Sequence, residues 1–219
     1  MGLFRITTGE ASFVSVMNQQ LSNYLQKVQE EVKNLTPERT MVLDEIVGYV
    51  VSTEHPKLNF ICTHNSRRSH LSQLWAQTLA NAFEISVETF SGGTEATAFN
   101  PNAVAAMERA GFRITAESDQ NPKYQVYYDE AKAPIVAFSK RYEDPPNPTG
   151  GFAAIMTCSE ADADCPVVFG ADRRIKLFYE DPKIADGTPE EAKRYDERCR
   201  QIAVEMSYIF QKIKDKEEN

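Results

Sequence analysis

The chain has 219 residues, 42% of them hydrophobic and 26% charged, with 10 Gly, 11 Pro and a formal net charge of −8. That is the makeup of one globular domain, with or without an appendage, and it excludes a disordered or fibrous chain. An acidic chain is a poor coat for nucleic acid, and no apolar run approaches the roughly 20 residues that cross a bilayer, the longest, Ile46 to Val51, being broken by Gly48 and Tyr49. Neither nucleic acid nor a membrane is an expected partner. The start, Met1-Gly2-Leu3-Phe4-Arg5, has no features of a secretory signal, so a cytoplasmic location with reduced thiols is expected.

In chain order, Val14, Met17, Leu21, Tyr24, Leu25, Val28 and Val32 recur at intervals of three and four, which predicts a helix over residues 12–33. Thr36-Pro37-Glu38 is an N-cap, a first-turn proline and an acid at the positive end of the dipole, opening a second helix with Leu43, Ile46, Val47 and Val50 as its stripe. Residues 1–55 therefore form a helical extension. It is expected to pack on the main domain, 56–219, or on a second copy of the chain as a homodimer.

From Leu58 the pattern changes to strand (58–61), helix (69–83), strand (87–90) and helix (101–110, stopped by Gly111). A weak hairpin over 124–128 and 135–138 follows, then a proline-rich loop at 144–151, strands at 152–157 and 175–178, and a long helix over 188–213. This alternation predicts an α/β fold, doubly wound, with a mainly parallel sheet of about four strands and helices on both faces. Ligands of such sheets lie beyond the carboxyl ends of the strands, in the loops after Ile61, Phe90, Thr157 and Phe178.

The first of those loops reads Cys62-Thr63-His64-Asn65-Ser66-Arg67-Arg68-Ser69. Backbone amides of a tight loop entering a helix converge on an anion, the helix N-terminus adds positive potential, and Arg68 grips two oxygens with its planar fork. The same field stabilises a thiolate, so Cys62 is a candidate nucleophile beside the anion it attacks, with Ser69 placed to donate to its sulfur. Thr63, His64, Asn65, Ser66 and Arg67 complete the oxyanion-binding set; His64 and His70 are expected to shape the loop rather than act as bases. A plainer reading stands beside this one: a small buried cysteine at a strand end and two arginines on a helix surface. Asp181 follows the last strand on the same side, where it is either a turn residue before Pro182 or the general acid that a departing oxygen requires.

The stretch Asn59 to Ser69 resembles the signature loop of the low-molecular-weight tyrosine phosphatase superfamily, which includes the thioredoxin-coupled arsenate reductases. Ser91-Gly92-Gly93-Thr94, Phe99-Asn100-Pro101 and Tyr179-Glu180-Asp181-Pro182 are similar to further family segments, over roughly residues 57–213. The resemblance implies Cys62 as nucleophile, Arg68 as oxyanion clamp and Asp181 as acid. Cys158 and Cys165, the latter followed by Pro166, resemble the redox pair of the reductases. By that likeness Cys158 attacks Cys62 to release arsenite, Cys165 attacks Cys158, and thioredoxin reduces the resulting disulfide. Bonded cysteines need Cα atoms within about 7 Å, so segment 158–165 is expected to unwind reversibly. Cys199, within the last helix, is read as structural. The cysteine spacings fit no zinc pattern, and neither metal nor cofactor is expected.

Two departures from the family pattern bear on substrate. Lys183-Ile184 follow Asp181-Pro182 where phosphotyrosine phosphatases usually carry aromatic residues, and Gln73 stands where many reductases carry an acid that helps hold potassium. Arg67 also replaces a usual small residue or cysteine. The leading expectation is an arsenate reductase, the alternative a phosphatase that hydrolyses phosphate monoesters through a phosphocysteine, and a third reading a non-catalytic oxyanion-binding module.

Overall fold

The computed structural model describes residues 7–8, 11–12, 18–164 and 167–218. A two-residue antiparallel pair, β1 (Thr7–Thr8) and β2 (Ala11–Ser12), precedes the helical hairpin of α1 (Gln19–Glu31) and α2 (Pro37–Val51). The helix expected from residue 12 begins only at Gln19. Asn18 caps it, its side chain accepting from the Leu21 amide at 2.9 Å and donating to the Gly111 carbonyl at 2.5 Å. Val14 and Met17 of the expected stripe lie outside the described residues.

The main sheet has four parallel strands in the order β4 (Glu88–Gly93), β3 (Lys57–Cys62), β8 (Phe152–Met156) and β9 (Ala171–Lys176). Period-2 alternation divides their side chains between two cores. Leu58, Phe60, Ala153, Ile155 and Ile175 join the large core, with Trp75 of α3 (Arg68–Ala82), Met107 of α4 (Pro101–Ala110) and Ile202, Met206 and Phe210 of α6 (Glu191–Glu217). Ile61, Cys62, Phe152, Ala154 and Met156 face a smaller core with Cys158, Val168 and Ala161, the last on the short α5 (Ser159–Asp164). Leu21, Leu25, Val28, Leu43, Ile46, Val47 and Val50 of the hairpin belong to the large core, so the chain itself covers that stripe.

The weakly signalled hairpin is real: β6 (Tyr124–Tyr127) pairs with β7 (Ile135–Ala137), and a third, unexpected strand β5 (Arg113–Thr115) joins it. The last sheet strand begins at Ala171, four residues before the expected Ile175. Its first four residues, Ala-Asp-Arg-Arg, are a polar stretch of an edge strand that no hydrophobic pattern betrays. Among the described residues, no helix is long and apolar enough to cross a membrane.

Candidate active site

β3 delivers Cys62 to the carboxyl end of the sheet, and residues 63–67 turn from there into α3. The loop is held from outside, by its carbonyls. The Thr94 amide donates to Cys62 O at 3.1 Å, Glu95 to Thr63 O at 2.8 Å and Asn100 to Ser66 O at 2.8 Å, while the Thr97 and Ser139 hydroxyls both donate to His64 O. With its carbonyls spent outward, the loop's amides are left for an anion, at a helix start that no side chain caps.

Gly93 makes that crossing possible, since a Cβ there would stand 2.3 Å from Glu95 O, 2.6 Å from Thr63 O and 2.7 Å from Asn65 N. Gly93→Ala is therefore expected to cost at least about 2 kcal/mol of stability and to weaken phosphate binding at least roughly tenfold. Urea unfolding and titration calorimetry test this; unchanged phosphate affinity would refute the packing argument.

Inside the loop, polar contacts orient the sulfur. Asn65, in the left-handed region at φ 43°, accepts from the Lys140 amide through Oδ1 at 3.0 Å and donates through Nδ2 to Ser69 Oγ at 2.8 Å. Ser69 Oγ lies 3.0 Å from Cys62 Sγ and can donate its hydrogen to that sulfur once it is a thiolate. Arg68, almost fully buried, donates from Nη2 to Asp181 Oδ2 at 2.7 Å and from Nη1 to Tyr179 O at 3.0 Å. Its Nε is buried without a hydrogen bond among the described residues, a donor still to be satisfied. Arg67 donates from Nε to the Tyr195 hydroxyl at 2.7 Å and from Nη2 to Asp186 at 3.3 Å, with its Nε also 4.0 Å from Asp181 Oδ1.

Cys158 follows β8 on the same edge. Its fully buried thiol is 3.6 Å from Thr63 Oγ1, and the Ala161 amide of α5 donates to it at 3.5 Å. Burial pushes this thiol up; Arg68 and the Ala161 amide pull it back, and a thiolate at Cys62 raises it again. Cys165 lies outside the described residues. α5, which sequence reading missed because Ser-Glu-Ala-Asp-Ala-Asp is short and acidic, advances about 9 Å over its six residues.

The remaining candidates have ordinary structural partners. The His64 ring is half exposed beside Glu95, whereas His70 is fully buried, and burial followed by the nearby Lys140 ammonium holds its pKa well below the usual imidazole range. The Gln73 amide bridges Thr89 O and the Ser91 hydroxyl. Cys199 accepts from Trp75 Nε1 at 3.3 Å and is pushed up to about 12, chiefly by burial, as suits a core thiol.

Thirty per cent of 142 residues are identical between this chain and an arsenate reductase of Bacillus licheniformis, over 64% of this chain and 84% of the relative. The chain belongs to the arsenate reductase family of this relative. An arsenate reductase of Bacillus subtilis is 28% identical over 148 residues, 67% of this chain and 88% of that one. The low-molecular-weight phosphotyrosine phosphatase of Vibrio cholerae shares the fold at a TM-score of 0.50 and 11% identity, covering 71% of this chain and 95% of its own. No family model matches the chain.

Lys140 carries no mark in the sequence of where it lies. It is nearly fully buried behind the signature loop, with Nζ donating to Phe138 O at 3.3 Å, and burial lowers its pKa from 10.5 to about 8. A lowered lysine binds fewer protons folded than unfolded. Stability should therefore rise with pH between about 8 and 10.5, and below 8 the buried ammonium should cost roughly 3 kcal/mol. Lys140→Met is expected to be more stable at pH 7 and to lose that rise, read from urea unfolding against pH. Parallel profiles for the two proteins would show that Lys140 is not the source.

Proposed function

We propose that this enzyme reduces arsenate through Cys62, Cys158 and Cys165 and is regenerated by thioredoxin. Arsenate enters the signature loop, where the loop amides and Arg68 hold its oxygens. The Cys62 thiolate attacks arsenic, and Asp181, once protonated, gives its proton to the departing oxygen, which leaves as water. The Cys158 thiolate then attacks Cys62 Sγ. A disulfide forms, the sulfur–arsenic bond breaks with its electron pair left on arsenic, and arsenite departs. Cys165 attacks Cys158 Sγ to free Cys62, and a dithiol supplies the two electrons that restore the Cys158–Cys165 pair.

The observation that carries this reading is Cys158, a buried thiol at the rim of the loop, 3.6 Å from Thr63 Oγ1. A phosphatase needs Cys62, Arg68 and Asp181 but no thiol there. The residue after Lys183 is Ile184, well exposed, which offers no stacked wall for an aryl ring.

The test is arsenite production by the full chain with thioredoxin, thioredoxin reductase and NADPH, alongside aryl phosphate hydrolysis. Fast hydrolysis without arsenite would establish the phosphatase instead, and phosphate binding with neither activity the oxyanion-binding module. Asp181→Asn is expected to lower turnover by roughly 10²- to 10⁴-fold while changing arsenate KM little. A large change in KM with kcat intact would assign Asp181 to binding.

A further inference from the structure

Besides its share of the large core, the helical hairpin is tied to the main domain by ion pairs of two kinds. Two lie on its outside: Lys212 Nζ donates to both carboxylate oxygens of Asp44 at 2.6 and 2.8 Å, and Arg200 pairs with Glu31. The third has a buried carboxylate and a guanidinium that is 22% exposed, and it leads toward the site. Arg39 of α2 donates from Nε and Nη2 to the two oxygens of Glu205 in α6, both at 2.8 Å, and Glu205 is only 1% exposed. Arg39 also donates from Nη1 to Phe178 O at 3.2 Å and lies over the Tyr179 ring, 4.9 Å from its centroid. The Tyr179 hydroxyl closes the circuit by donating to Glu205 Oε2 at 2.7 Å.

Phe178 and Tyr179 are the residues through which the chain leaves the edge strand β9 on its way to Asp181. Their consecutive carbonyls are gripped by two guanidiniums: Phe178 O by Arg39 of the hairpin, and Tyr179 O by Arg68 of the signature loop. A strand at the edge of a sheet has one neighbour only, so nothing in the sheet fixes this exit on its open side. A buried ion pair is also a poor way merely to attach a hairpin, because desolvation offsets most of its attraction, and the outer contacts already serve attachment.

We propose that the N-terminal hairpin is a positioning element of the active site: Arg39, through Glu205 and Tyr179, sets the course of the chain from β9 and so holds the Asp181 carboxylate at Arg68. The proposal rests on the reading of Asp181 as general acid. Arg39 touches no reacting atom, and its effect should fall on kcat rather than on oxyanion affinity.

The test compares Arg39→Met, the double variant Arg39→Met/Glu205→Gln and, as a control for attachment alone, Asp44→Asn. The double variant removes the uncompensated carboxylate that would unfold the single one, while the amide oxygen that replaces the carboxylate can still accept from the Tyr179 hydroxyl. Amide exchange at Lys183 and Asp186, the amides that close the turn after Asp181, is expected to speed up at least roughly tenfold in the double variant. Its arsenate kcat should fall roughly 10- to 100-fold, with KM within about threefold of wild type. Asp44→Asn should lower Tm and leave both readouts at wild-type values. A folded double variant with wild-type exchange overturns the proposal, as does an Asp44→Asn protein that reproduces the exchange and kcat changes. Should the wild type turn over no arsenate, the functional reading fails on its own and the exchange comparison still decides whether Arg39 holds this segment.

Discussion

Serine in place of Cys62 is expected to lower arsenate turnover by at least about 10⁴-fold while phosphate still binds within about threefold of wild-type affinity. The two halves of that result have separate physical origins. Anion binding belongs to the loop's amides and to Arg68, and the loop's shape is held by carbonyl contacts from Thr94, Glu95, Thr97, Asn100 and Ser139, none of which involves the sulfur. Nucleophilic attack belongs to the sulfur alone, and a serine hydroxyl stays un-ionised in the same field. Calorimetry with phosphate and a coupled arsenate assay measure the two independently. Residual turnover above about 1% of wild type would mean that another group makes the first bond.

Cys158→Ser should have the second-largest effect, at least about 10³-fold on arsenate reduction, and it separates the reductase from the phosphatase. Without added reductant, wild-type protein given arsenate should release one arsenite per chain and lose two thiols to a Cys158–Cys165 disulfide. Cys158→Ser should release none, because no second thiol is present to break the sulfur–arsenic bond. Cys165→Ser should release one arsenite and stop as a Cys62–Cys158 disulfide. Mass spectrometry of the trapped species reads all three. Arsenite formation by Cys158→Ser at the wild-type rate would remove Cys158 from the mechanism.

The proposed Cys158–Cys165 pairing spans α5 in the chain. The helix carries the chain away from Cys158, and its last turn is tied to β9, with Asp162 paired to Arg174 and Lys176. Unwinding 158–165 therefore means breaking these ion pairs as well as the helix.

How much of this could be read from the residues differs from feature to feature. The place of the signature loop between β3 and α3 was legible, because its cysteine, arginine and hydroxyl stand at fixed offsets along one continuous segment. The alternation of hydrophobic strands and periodic helices was equally local, and so was Cys158 at a strand end. The start of α1 was misplaced by seven residues: a hydrophobic stripe marks a face, whereas the helix begins where Asn18 finds both the Leu21 amide and Gly111 O, 93 residues away. The first half of β9 was hidden because an edge strand needs no apolar residues, and β5 because three residues carry no period.

By itself the sequence determined the fold class and the place of the signature loop between a strand and a helix, and it named three cysteines as candidates in order, since each rests on residues close together in the chain. Only the tertiary structure decided what surrounds them. Lys140 behind the loop, Arg67 turned to Tyr195, and Arg39 reaching Glu205 and Phe178 are contacts between residues 75 to 166 positions apart. The first is made by a backbone amide and the others by guanidiniums, and in each the partner is chosen by packing of distant segments, which leaves no periodic mark on the chain.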